Sequence, residues 1–167
     1  HCDYAPYPDL PPTPPIKSQW LSIRSLDLQA QCPFKAYASR LKLDPPTTPH
    51  LGLDAKDRGQ ILHQVLYYFW SQIPDQTHLL KLTPEQLAAT VDRCIEQAIT
   101  PYAVKGPHLW TPSFMQQQQH RLQRVMHHWL SIEATRPWFK IKALEHACTY
   151  QLGTEKIRMR LDRIDEL

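Results

Sequence analysis

Lys156-Ile-Arg-Met-Arg-Leu-Asp-Arg-Ile-Asp-Glu-Leu167 is the stretch on which the reading of this sequence turns. Ile157, Met159 and Leu161 alternate with Arg158, Arg160 and Asp162, the period of a strand whose two faces differ. The alternation puts Asp162 on the polar face with the two arginines. Residues 138–152 read as a second strand, and Gly153-Thr154 as the hairpin turn between them. Asp is poorly suited to a strand interior, so Asp162 near a strand end asks for a reason. Asp165, three residues on, falls to the other side of a regular strand and reads as a turn or surface acid.

Upstream of the hairpin the period is helical. Ser25 caps a short helix running to about residue 31, and Pro33 opens another to about residue 43. Pro45, Pro46 and Pro49 break the chain. Over residues 54–72, Leu62, Val65, Leu66, Phe69 and Trp70 recur at helical spacing. Thr83-Pro84-Glu85 is a helix start: a capping hydroxyl, proline at the first position and an acid in the first turn. That helix reads to about residue 99, with Pro101 and Gly106-Pro107 in a loop after it. Pro112-Ser113 opens a long helix to about residue 135, ended by Pro137. The pattern predicts an α+β fold, a mostly helical unit followed by a β-hairpin. Residues 1–19, with six prolines in the first fifteen positions, predict a linker or an arm. The folded domain is expected over residues 20–167.

Apolar residues make up 42% of the 167, enough for a core. No apolar run approaches the roughly 20 residues of a membrane helix, and no signal peptide is evident. The formal charge of +3 permits a nucleic-acid partner without arguing for one. Cys2, Cys32, Cys94 and Cys148 lack the paired spacing of a zinc site or a disulfide scaffold, which predicts reduced thiols and a cytoplasmic setting. The chain begins at His1 rather than Met, as expected of a fragment or a processed product.

The residues that could carry chemistry each have a plainer reading. Asp162 could ligate a hard divalent cation, which prefers oxygen donors, or could pair with Arg160 or Arg163 at a strand end. His63 could be a neutral imidazole ligand or an ordinary rim histidine. Gly59, one turn earlier, is costly in a helix and suggests close packing there. Glu145 could sit beside a metal across the hairpin, or could be the cross-strand partner of an arginine such as Arg158. Arg58 could form a local ion pair or touch phosphate. A lone Cys32 is usually a small core residue. The aromatic run Tyr67, Tyr68, Phe69, Trp70 reads as core and rim rather than a base-stacking platform.

Taken in order, these pieces resemble the RecB/AddB-like nuclease domains of the PD-(D/E)XK superfamily, and most of all AddB-like bacterial predicted DNA repair proteins. The matching elements are Ser25 to Cys32-Pro33-Phe34, then Arg58-Gly59-Gln-Ile-Leu-His63, two long helices, Glu145, and Leu161-Asp162-Arg163-Ile164-Asp165. The resemblance implies a metal-dependent DNA exonuclease, or helicase-associated nuclease, that hydrolyses phosphodiester bonds in DNA repair. It implies His63 and Asp162 as ligands of Mg²⁺ or Mn²⁺, and Asp162 and Glu145 as catalytic carboxylates. It implies Arg58, Arg160 and Arg163 as nucleic-acid contacts, and DNA and a helicase subunit as partners. Cys32 corresponds to the isolated cysteine of a four-iron, four-sulfur cluster that would form only in a full-length protein. Arg160 stands where such domains often have glycine. The family's Asp-x-Lys strand and C-terminal cysteines would follow Leu167, so the expected object is a domain cut through its active site, inactive alone. An open strand edge would then favour fraying after Arg160 or strand-mediated self-association. Two other readings stay open: a non-catalytic DNA- or helicase-binding module on a nuclease fold, and a helical scaffold in which Asp162 only pairs with arginine.

Overall fold

The computed structural model describes residues 21–43, 52–153 and 155–167. The linker or arm expected over residues 1–19 lies outside them, as do Thr154 of the turn and the prolines at 45, 46 and 49. The described chain runs β1 (Leu21–Ser22), α1 (Ile23–Gln31), α2 (Pro33–Arg40), α3 (Ala55–Gln72), α4 (Gln76–Lys81), α5 (Pro84–Lys105), α6 (Pro112–Thr135), β2 (Lys140–Leu152) and β3 (Glu155–Glu166). Six helices and an antiparallel β2–β3 hairpin make the α+β fold expected from the sequence. The sheet order is β1-β3-β2.

The described residues divide into two units, residues 21–43 with 149–153 and 155–159, and residues 52–148 with 160–167. In the first unit β1 pairs in parallel with β3, Leu21 opposite Ile157 and Ser22 opposite Arg158. The cap of α1 is Ser22 rather than Ser25. The two serines form a reciprocal capping box, each hydroxyl accepting from the other's backbone N–H. Cys32 is the junction, ending α1 and preceding Pro33 of α2.

The second unit holds the main core. α3 buries Ile61, Val65 and Phe69, α5 buries Val91, Ile95 and Ile99, and α6 buries Leu122, Met126 and Leu130. These residues stand four apart, so each helix turns one stripe inward. α5 continues to Lys105 with Pro101 inside it, where the sequence had suggested a loop. Proline costs about 3 kcal/mol in a helix interior. Here it is exposed, and Ala98 and Ile99 before it are buried while Tyr102 and Ala103 after it pack on the core. The short helix α4 was not foreseen. Asp75 caps it, accepting from the His78 N–H at 2.8 Å, and the ring contact with His78 holds the Asp75 carboxyl below its ordinary pKa. From α4 the buried Gln76 amide donates to the carbonyls of Glu133, Ala134 and Arg136, satisfying acceptors that the end of α6 would leave open.

At the start of the hairpin Phe139 is fully buried and meets Trp70 edge to face at 5.6 Å. The Arg163 guanidinium lies over both rings, 4.6 Å from Trp70 and 5.0 Å from Phe139. Its Nη2 donates to Glu133 at 2.8 Å and to Asp165 at 2.7 Å. Arg136 reaches the same two carboxylates. Burial works against the charge of Arg163, but its hydrogen bonds to Asp165 and Glu133 outweigh that and raise its pKa. Asp165 is therefore not the surface acid expected; its side chain is 13% exposed and closes this network. Strand β3 continues through Glu166.

Glu133 has a side chain only 5% exposed between two arginines. Glu133→Ala is expected to cost about 3 kcal/mol, because it strands buried positive charge. That corresponds to a melting temperature lower by about 6–12 °C. Glu133→Gln, which keeps an acceptor, should lose less. A loss below about 1 kcal/mol for the alanine variant in urea unfolding would show that the network is not a determinant of the hairpin.

Candidate metal centre

His63 comes from the face of α3 opposite its buried stripe, since it lies two positions from both Ile61 and Val65. Asp54 caps that helix, accepting from the Asp57 N–H at 2.6 Å. Along the outward face Lys56, Gln60, His63, Gln64 and Tyr67 line one wall of a groove of about 720 Å³. Tyr102 of α5, with Glu145 and Arg160 of the hairpin, completes the lining. Gly59 opens into this groove, and a Cβ there would meet nothing within 4 Å. The close packing expected at Gly59 is absent; the missing side chain leaves the groove wide.

The hairpin brings two carboxylates to His63. Its Nε2 lies 3.0 Å from Glu145 Oε1 and 3.1 Å from Asp162 Oδ1. One donor atom from each of the three residues falls within 4.8 Å of the others, and among the described residues this is the only such group of three. Asp162 is largely exposed and Glu145 largely covered, with side chains 73% and 16% accessible. The second carboxylate oxygen of Glu145 receives the Arg160 guanidinium. Two carboxylate oxygens and an imidazole nitrogen are a donor set suited to Mg²⁺ or Mn²⁺.

The backbone at Glu145 is unusual. Its φ is +50°, in the left-handed region that non-glycine residues rarely enter. Ala143, Leu144 and Glu145 are all half-buried in succession, so the in–out alternation of β2 breaks here. A local kink of this kind re-aims a side chain, and such strain gathers at functional positions.

The other residues singled out in the sequence are placed as follows. Arg160 is at the site. Arg58 lies near Arg121, whose pKa is lowered by burial and then by the Arg58 charge; its own Nε donates to the Asp54 carbonyl at 3.3 Å. Arg163 is engaged in the buried network on the other face of β3 rather than at the groove. Cys32 belongs to the other unit; backbone hydrogen bonds from Lys35 and Phe34 lower its thiol pKa. Cys94 is buried in the core, which raises its thiol pKa. No described helix is long and apolar enough to cross a membrane.

Sequence reasoning missed Lys56, Gln60 and Tyr67 as groove residues. Their spacing of three and four from one another and from His63 was the available signal. Tyr102 had no such signal, because only the packing of α5 on α3 brings it there, its hydroxyl 3.5 Å from Gln60 Oε1. Burial and then the nearby Asp57 charge raise its pKa.

The family model described as PD-(D/E)XK nuclease superfamily matches residues 20–167. No curated protein and no solved structure matches the chain.

The kink at Glu145 makes a stability test possible that is independent of chemistry. Glu145→Gly and Glu145→Ala both remove the carboxylate, but only glycine enters a positive φ freely. Glycine in an ordinary strand is the worse residue by roughly 0.5–1 kcal/mol. Here the order should invert, with the glycine variant more stable by about 1 kcal/mol in urea unfolding. The ordinary order would show that position 145 relaxes to regular strand geometry once the carboxylate is gone.

Proposed function

The chain belongs to the PD-(D/E)XK nuclease superfamily, and we propose that His63, Glu145 and Asp162 hold Mg²⁺ or Mn²⁺ for hydrolysis of phosphodiester bonds in DNA. The observation that carries this reading is the convergence of the three donors, from one helix and two strands, with His63 and Glu145 lining one groove. When bound, the cation supplies Lewis-acid polarisation of a phosphate and a more acidic water. The chain's own residues do the rest. His63 presents Nε2 between the two acids. Glu145, covered and fixed by its backbone, sets the inner side of the site. Asp162, exposed, meets the side from which substrate arrives. Lys56 and Arg160 give the groove positive charge for the phosphate backbone, and Arg58 with Arg121 adds a second basic pair on the same unit.

The order of motifs along the chain supports a RecB/AddB-like member acting with a helicase in DNA repair, and the unpaired spacing of the cysteines supports a cytoplasmic setting. In that setting Cys32 takes the role of the isolated cluster cysteine, and residues 1–19 that of a linker. A second reading is favoured by one contact. Because Arg160 already engages Glu145, the fold could serve as a module that grips DNA without metal.

Mn²⁺ titration followed by electron paramagnetic resonance separates the two. Saturable binding is expected, weakened at least about tenfold by His63→Ala, Glu145→Gln or Asp162→Ala. In the protein that carries these residues, cleavage of DNA with Mg²⁺ or Mn²⁺ should be lost in Asp162→Ala while its thermal unfolding is unchanged. A folded protein that binds DNA with the steep salt dependence of phosphate contacts, yet takes up no Mn²⁺, would leave only the binding module. DNA binding absent at low salt would sink both.

A further inference from the structure

Among the described residues, Arg160 both lines the groove and engages a carboxylate of the metal centre. It precedes Asp162 by two positions on β3, so both side chains leave the same face of the strand. Its guanidinium engages one oxygen of Glu145 while the other oxygen faces His63. The two acids carry two negative charges, and Arg160 cancels one of them. A divalent cation among the three donors would sit beside this positive charge and compete with it for the same carboxylate. The arginine is also free to go. Its side chain is 67% exposed, and an exposed ion pair holds little free energy. Displaced from Glu145, it remains tethered at the rim of a groove lined by Lys56 and Tyr67. A guanidinium there presents a planar fork of donors that matches two phosphate oxygens.

We propose that Arg160 is a displaceable counter-cation: it neutralises Glu145 when no metal is bound, and on metal uptake moves to the phosphate of a nucleic-acid strand in the groove. This rests on the metal-centre reading above. It makes Arg160 a positioning residue that couples the two ligands. Metal frees the group that binds phosphate, and phosphate draws away the group that opposes metal. Such coupling is reciprocal, so each ligand should tighten the other by the same factor.

Two binding measurements on wild type, Arg160→Ala and Arg160→Lys test the proposal. In the first, Mn²⁺ alone is titrated and free Mn²⁺ is read by electron paramagnetic resonance. Arg160→Ala should bind Mn²⁺ about tenfold more tightly than wild type, the scale of removing one unit charge from a few ångströms away. Arg160→Lys, which keeps the charge, should stay near wild type. In the second, a fluorescein-labelled DNA oligonucleotide is mixed with protein with or without Mn²⁺, and stopped-flow anisotropy is read before cleavage. Mn²⁺ should tighten the oligonucleotide in wild type, and Arg160→Ala should lose that gain. An alanine variant with wild-type or weaker Mn²⁺ affinity overturns the competition. An unchanged Mn²⁺ effect on the oligonucleotide overturns the move to phosphate. If Asp162→Ala still abolishes Mn²⁺ binding in either case, the metal centre stands without this role for Arg160. Absence of Mn²⁺ binding in wild type and all variants overturns the metal centre and the proposal together.

Discussion

The Arg163 guanidinium lies over Trp70 and Phe139 and is shared by Glu133 and Asp165, and the orientation of β3 follows from that. Side chains alternate along a strand, so an inward Arg163 forces Asp162 outward. A slip of one residue would put the aspartate against the aromatic rings and the arginine in solvent, reversing every neighbour as well. The ion network is buried enough that either carboxylate without an arginine would be costly. The rings give the guanidinium a face on which to lie as well as partners for its charge. The buried side of the strand thus sets what its exposed side offers to His63.

The second strand is held at its base by Phe139 and by the bridge between Asp75 and Lys140. Gln76 joins the same region to the end of α6. β2 is thus anchored at its start, and the positive φ at Glu145 comes five residues after Lys140. The result is a covered carboxylate opposite an exposed one, with the imidazole between. That asymmetry suits a site in which one acid must hold still and the other must meet an incoming phosphate.

The groove beside them owes its width to an omission. Gly59 gives up helix stability of roughly 1 kcal/mol relative to alanine and leaves open space where a side chain would stand. Tyr67 and Tyr102 border that space, while Phe69 and Trp70, next along the same aromatic run, are buried. One short segment of α3 therefore contributes to core and groove alternately, as the helical period requires.

Sequence by itself determined the long helices apart from the end of α5, the hairpin and the strand face of Asp162, because those depend on local periodicity and on start signals such as Thr83 and Pro84; the short α4 carried no such pattern. The order of short motifs also sufficed to single out His63, Glu145 and Asp162. Tertiary structure alone decided the partners. That Arg160 rather than Arg158 meets Glu145 depends on the strand register and on the kink. That Arg163 turns inward and Asp165 is covered depends on Glu133, thirty positions earlier on α6. The helix through Pro101 persists because of the core beneath it, and Tyr102 reaches the groove because α5 packs on α3. Local pattern states which way a side chain faces; what it faces is set by long-range packing, which no local period encodes.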